Sequence, residues 1–492
     1  MSREKHGWSR ARIVVTAVAA ATMALVAGCS TPATPSAPQG RVIGPDPLGA
    51  NVAAWDAIFN HVHHRTITRL LESARLTLLR YPGGGWADKY DWATNTDSSD
   101  CTDTSAPTGS ACDDVDPLSF DTFSAKARAA GASTFVTVNY GSGTPAEAAA
   151  WVRRAATKKR DAVALWEVGN ETYGCFETND HLAQAPTFVK GYRPYGPVCP
   201  STAVLAKSYA HNALAFVKDM KRANPRARIG VPWAFSQRQA AGAGVRDASL
   251  WNTRILRVLG RDVSFVDAHW YPFSQVSGLS DRQILRSVLR IPAAAAQIRT
   301  TLHREAPGAS FVVGETNISE LATTLNFKPV SALFAAATSL EWLAQGAGSV
   351  DWWDLNNDGS PGGGDFGLLS SGNPEAEPTG TPFPPYYGEE LAAKLTTPGS
   401  RIKAADTGSS QVLGFESDLP QVRCVLLVNA GSYAISVDTA RWFPAGSTLH
   451  TFSYSGASAG AASPVVNSTA AARRAQALPA ESIVVLRGSP GS

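Results

Sequence analysis

Two acids stand where an apolar run stops. Glu171 follows "ALWEVGN" and Glu315 follows "FVVG", so each carboxyl is presented at the end of a segment whose other residues belong in a core. An acid in such a place is ordinarily part of a solvated turn, and Gly169 and Asn170 are common turn formers. A pair of acids brought into one cavity has another use. Cleaving an acetal passes through an oxocarbenium-like transition state, which needs a proton on the leaving oxygen and negative charge on the opposite face of the ring. One carboxyl cannot supply both.

Polar and aromatic residues recur at the ends of similar apolar segments. Arg80-Tyr81, Asn139-Tyr140, Asn170-Glu171, His269 with Tyr271, Glu315, and Trp352-Trp353-Asp354 all occupy such positions. They meet only if the fold gathers strand ends. Eight strand candidates, residues 48–53, 76–81, 134–140, 164–170, 228–232, 265–271, 311–316 and 349–355, are separated by helix-like stretches. That alternation predicts an α/β protein with a (β/α)₈ (TIM) barrel over 48–400, whose chemistry is housed at the C-terminal ends of its strands. The helices carry their own signals: Thr144, Pro145 and Glu147 form an N-terminal cap pattern, and "STAVLAKSYAHNALAFVKDMKRANP" stops near Pro225. From residue 401 to 492 the texture changes to alternating segments divided by Gly, Ser and Pro, which predicts a C-terminal all-β sandwich.

The stretches "LRYPGGGWADKYDW", "WEVGNE", "DAHWY" and "VGETN" resemble the barrel motifs of clan A retaining glycoside hydrolases, in particular the family 51 α-L-arabinofuranosidase-like group. The resemblance covers the barrel, and the Asn-Glu pair is its most specific element. It implies that Glu171 is the general acid/base, Glu315 the nucleophile, Asn170 the amide that binds the sugar 2-hydroxyl, and Arg80 the arginine that steadies the nucleophile. It also implies that His269 and Tyr271 line the site. Asn139, Tyr140 and Trp353 join the substrate-binding candidates by their strand-end positions. The two roles demand different pKa values: Arg80 is expected to keep Glu315 ionised, while Glu171 holds its proton until Glu315 is esterified. Long loops after the second and fourth strands depart from the group and leave the sugar open. No cofactor is implied.

The N-terminus reads as a processing signal. Arg3, Lys5, Arg10 and Arg12 precede "IVVTAVAAATMALVAG", too short to span a bilayer comfortably, and Val26-Ala27-Gly28-Cys29 resembles a lipobox. Residues 1–29 are therefore expected to be a lipoprotein signal ending on an acylated Cys29, the alternative being a plain secretory signal. Residues 30–47, rich in Ser, Thr and Pro, read as a tether. The expectation is an exported, surface-anchored protein. Export permits disulfides, and Cys101 with Cys112 and Cys175 with Cys199 are the economical local pairs, leaving Cys424 as a buried thiol on one face of an alternating strand. Lys+Arg 44 against Asp+Glu 41 gives a net charge of only +3, and no basic stripe interleaved with aromatics points to nucleic acid. A carbohydrate and the membrane are the partners expected; the oligomeric state is open.

Three motifs compete for other roles. Gly83-Gly84-Gly85 lacks the ending of a phosphate loop and reads as a tight turn. His61, His63 and His64 fall in the predicted first helix, outside the barrel, and read as surface or satisfied histidines rather than metal ligands. Asp354, Asn356, Asp358, Gly359 and Asp365 match calcium-loop spacings imperfectly, and a metal-free Gly-rich loop is the reading preferred. Two alternatives to an exo-acting glycosidase remain: an endo-acting glycanase of the same clan, and a non-catalytic sugar-binding lipoprotein.

Overall fold

The computed structural model describes residues 40–489 except 57–58, 60–63, 98–117, 159–161, 185–187, 237–238, 240–244, 358–363, 373–377 and 457–463. Cys29, Cys101, Cys112, His61, His63, Asp358 and Gly359 lie outside the described residues, as do the signal and most of the expected tether. Among the described residues, no helix is long and apolar enough to cross a membrane.

All eight expected barrel strands form: β1 Leu48–Asn51, β2 Leu78–Tyr81, β3 Ser133–Val138, β4 Leu165–Val168, β5 Ile229–Trp233, β6 Phe265–Trp270, β7 Ser310–Thr316 and β8 Val350–Trp352. They close in the order β7-β8-β1-β2-β3-β4-β5-β6, and every pairing is parallel. Both faces of such strands are covered, which is why they read as apolar runs. Leu78, Phe135, Leu165, Phe265 and Val312 form one apolar cluster of the barrel core. Charged residues interrupt the same strands: Arg80, Glu167, Asp267 and Asp351 are buried.

The predicted cap operates on the helix Pro145–Thr157, where the Thr144 side chain accepts from the Glu147 N–H at 3.2 Å. The long helix after β4 is Thr202–Ala223. Helix Pro329–Ala344 is apolar nearly all round and buried from Val330 to Leu343, as a helix covered on every side must be. It packs against helix Pro384–Ala392 and against the C-terminal sheet.

That sheet has seven antiparallel strands, and a separate two-stranded ribbon, Ile435–Asp438 with Ala475–Leu478, accompanies it. Val425, Leu427, Val484 and Leu486 face Val437, Leu478, Trp442 and Phe443, giving the expected sandwich core. Leu426, Val428 and Val485 project the other way and belong to the main core shared with the barrel, as does the free, buried Cys424. Burial pushes the Cys424 thiol up to about 11. Arg41 and Val42, which the sequence reading put in the tether, pair with Ile402 and Arg401 at the sheet edge.

Glu389, on helix Pro384–Ala392, is wholly buried, and Ser339 donates to its Oε1 at 2.7 Å. Burial raises its pKa to about 8 against that one hydrogen bond. The folded state thus holds this proton more tightly than the unfolded chain does. Its stabilising contribution is full below the ordinary carboxylate pKa and is lost as pH rises toward about 8. Glu389→Gln is expected to flatten, by a few degrees, the fall in melting temperature between about pH 5 and pH 8. An unchanged slope in the variant would show that Glu389 does not carry it.

Candidate active site

The turn after β4 is built to expose one carboxyl. Gly169 has φ 74°, and a Cβ there would stand 2.7 Å from both the Tyr140 Cβ and the Thr172 Cγ2, so only glycine fits. Asp88 anchors the next residue: its Oδ2 accepts from the Asn170 N–H at 3.1 Å, and its Oδ1 accepts from Tyr140 and Gly141, both at 3.2 Å. One buried carboxylate thereby ties the loop after β3 to the loop after β4. Glu171 itself has φ 38°, a left-handed backbone that costs a non-glycine residue about 1–2 kcal/mol. The surrounding contacts hold it there. Gly174 N–H donates to the Glu171 carbonyl at 2.7 Å, and the Tyr173 hydroxyl and His269 Nδ1 both lie 2.9 Å from its Oε1.

Glu315 is aimed by a different device. The β6–β7 and β7–β8 registers both shift just before or around it, the signature of a bulge. A bulge leaves backbone groups unpaired, and here side chains satisfy them. Gly314 N–H donates to Asp267 Oδ1 at 2.6 Å, and Asn51 Nδ2 donates to the Gly314 carbonyl at 2.7 Å. The Glu315 side chain then receives Arg80 Nη1 on Oε1 and the Tyr271 hydroxyl on Oε2, each at 2.7 Å.

Arg80 is the hub. Beyond Glu315 it donates to Asn51 Oδ1 at 2.9 Å, Glu167 Oε2 at 2.9 Å and Asn170 Oδ1 at 2.8 Å, and its Nε lies 3.5 Å from Asp267 Oδ2. The Asn170 amide is fixed from its other end as well, because its Nδ2 donates to Glu177 Oε1 at 2.9 Å. One guanidinium therefore faces three carboxylates. The expectation is that Arg80 keeps Glu315 ionised. Burial is the largest influence and raises the Glu315 pKa; His269 and Arg80 oppose it without reversing it. Arg80's charge is divided among Glu167, Asp267 and Glu315, so less of it is felt by any one. Glu167 is pushed to about 8 by burial first and Asp267 next, against Arg80. His269 is raised too: burial disfavours its charged form, but Glu315, Asp267 and Glu171 together hold its pKa well above the usual value.

The structure brings Glu171, Glu315, Arg80, Asn170, His269 and Tyr271 together. Trp353, half-buried, stands at the end of β8 beside Gly84. Two other candidates belong to the scaffold instead. β3 ends at Val138, and the Asn139 amide is consumed by its own turn, accepting from Ser142 and Gly143 N–H at 3.0 Å and donating to Ser142 Oγ at 3.0 Å. The Tyr140 ring is fully buried against His181, Tyr209 and Phe216. Conversely, Asn51, Asp88, Glu167, Glu177 and Asp267 were not singled out by sequence reasoning. A signal existed for two of them: Glu167 and Asp267 are charged residues inside apolar strands, a placement that demands a partner.

Among the described residues, two groups have metal-like spacing, Glu167-Asp267-His269 and Glu171-His269-Glu315, each with its ligand atoms within 4.8 Å of one another. The Arg80 guanidinium already supplies positive charge to Glu167, Asp267 and Glu315. In the calcium-loop segment, Asp365 Oδ1 accepts from Gly367 N–H at 2.6 Å and the Asn356 amide donates to the Leu369 carbonyl. Asp354 is buried, and burial followed by the Asp365 charge raises its pKa well above the usual range. The predicted disulfide between Cys175 and Cys199 is present, with Cα atoms 5.6 Å apart.

No known protein-family profile matches the chain, and no curated protein matches it in sequence. Solved structures do match in fold. An α-L-arabinofuranosidase from Thermotoga maritima superposes with a TM-score of 0.64 at 14% identity, covering 92% of this chain and 98% of that one. A family 51 α-L-arabinofuranosidase from Bifidobacterium longum gives 0.65 at 13%, with the same coverages. A family 44 xyloglucanase from Paenibacillus polymyxa gives 0.61 at 12%, again covering 92% and 98%. The barrel and the C-terminal β-domain are thus both shared with solved glycoside hydrolases.

Proposed function

We propose that this chain is a retaining glycoside hydrolase of clan A type, acting on the α-L-arabinofuranosyl class of substrate by double displacement. The observation that carries the reaction class is proximity: one carboxyl oxygen of Glu171 and one of Glu315 lie within 4.8 Å of each other, and His269 Nδ1 is 2.9 Å from Glu171 Oε1 and 3.4 Å from Glu315 Oε2. Carboxyl pairs about 5–5.5 Å apart suit a direct attack on the sugar, whereas inverting pairs stand about 6.5–9.5 Å apart to admit a water. The arabinofuranosyl preference is supported by the motif resemblance and by the fold shared with the arabinofuranosidases.

In the first step a Glu315 oxygen forms a bond to the anomeric carbon as the bond to the leaving oxygen breaks, and the Glu171 proton passes to that oxygen. Arg80 and Tyr271, hydrogen-bonded to separate oxygens of Glu315, fix the carboxylate plane for the attack. In the second step water adds to the anomeric carbon, its proton goes to Glu171, and the ester bond to Glu315 breaks. His269 and Tyr173 hold Glu171 in position through both steps. A panel of 4-nitrophenyl α-L-arabinofuranoside, β-D-xyloside and β-D-glucoside, with the first-formed sugar followed by NMR, tests this. Release from the arabinofuranoside with retained configuration is expected. Inverted product would remove the double displacement, and turnover of another glycoside alone would remove the arabinofuranosyl assignment.

A further inference from the structure

The disulfide loop after β4 carries an aromatic surface whose placement the reaction steps above do not use. Tyr195 is 86% exposed, yet its backbone is firmly held. Its N–H donates to the Cys175 carbonyl at 3.1 Å, the Cys175–Cys199 bridge crosses the loop beside it, and its φ of 54° is in the left-handed region. Phe176 lies alongside, ring centroids 6.3 Å apart and planes at 37°. The Phe176 ring in turn rests on Gly174, where a Cβ would stand 2.3 Å from it. Gly174 is the residue whose N–H closes the Glu171 turn. The aromatic pair is therefore mounted on the turn that presents Glu171.

Two neighbouring aromatic rings on an ordered backbone offer a flat apolar face to a ligand. The side of the site it occupies says what it binds. Glu171 is the group that protonates the leaving oxygen, so the leaving group must depart along the Glu171 side. A sugar ring offers a flat face of C–H bonds that matches an aromatic ring, while its hydroxyls stay at the rim in water. We infer that Phe176 and Tyr195 form the seat of the leaving-group sugar, so that the natural bond joins the cleaved residue to another sugar ring. This inference rests on the glycosidase reading above and extends it to the aglycone. By microscopic reversibility the same seat receives an acceptor sugar. An acceptor hydroxyl then attacks the anomeric carbon, its proton goes to Glu171, and the ester to Glu315 breaks.

The test uses 2,4-dinitrophenyl α-L-arabinofuranoside, β-D-xyloside and β-D-glucoside as donors, taking forward whichever is turned over, with xylobiose, cellobiose and methanol as acceptors. Each acceptor gives a ratio of transfer to hydrolysis. For Tyr195→Ala and Phe176→Ala the ratio for the disaccharide is expected to fall about tenfold, the size of one lost sugar–ring contact. The ratio for methanol should hold, and Tyr195→Phe should stay near the wild type. A disaccharide ratio unchanged in both alanine variants, an equal fall with methanol, or a wild type that transfers to neither disaccharide would each overturn the seat while leaving the glycosidase reading intact. Failure to turn over any donor would instead remove the glycosidase reading, and the seat with it.

Discussion

Glu315→Ala is expected to abolish turnover even of a dinitrophenyl glycoside, a loss of about 10⁵–10⁶-fold, the scale seen when a covalent nucleophile is removed. An activated phenol needs no proton, so nothing else in the site compensates for a missing bond to the anomeric carbon. The substitution also leaves Arg80 Nη1 and the Tyr271 hydroxyl facing the space the carboxylate occupied. A small anion fits there. Added azide is expected to enter directly from that side and to yield the glycosyl azide of inverted configuration. Recovery of the retained azide from this variant would show that another group is the nucleophile.

Glu171→Ala is expected to fail differently, because it removes only proton transfer, an effect of order 10²–10⁴-fold. Natural polysaccharide cleavage should collapse, while a dinitrophenyl donor still forms the glycosyl-enzyme on Glu315. Hydrolysis of that ester then becomes slow, since water has lost its base. Azide needs no base, so it should accelerate turnover and give the azide of retained configuration. Tyr173 and His269 lose their shared acceptor at the Glu171 Oε1, but Glu315 keeps Arg80 and Tyr271. The nucleophile is therefore expected to stay in place. Equal loss on activated and natural substrates, with no response to azide, would remove Glu171 from the acid/base role.

The two acids were legible because each sits near a strand end, Glu315 one residue before the end of β7 and Glu171 in the turn after β4, and strand ends share one bowl once the barrel closes. The same reasoning did not foresee where the side chains of Asn139 and Tyr140 lie. β3 stops at Val138, so the residues after it belong to a turn, and that turn sends Tyr140 under Tyr209 and Phe216. Where a strand ends is a matter of one or two residues, and successive side chains on it point to opposite faces. Asp88 was invisible for another reason: its partners are backbone N–H groups of Tyr140, Gly141 and Asn170, and backbone groups leave no mark on sequence pattern.

By itself the sequence determined what depends on near neighbours. Apolar runs of strand length, the Thr144-Pro145-Glu147 cap and the alternating C-terminal segments each follow from local periodicity. Only the tertiary structure decided what depends on register and burial. The bulge that aims Glu315 is held by Asp267 and Asn51, residues 48 and 264 positions away along the chain from the acid they serve. The Glu315 pKa is decided the same way, by how many carboxylates divide the Arg80 charge and how little water reaches them. Charge and desolvation act through space, so their balance is fixed only when the strands have closed and chosen which side chains share the interior.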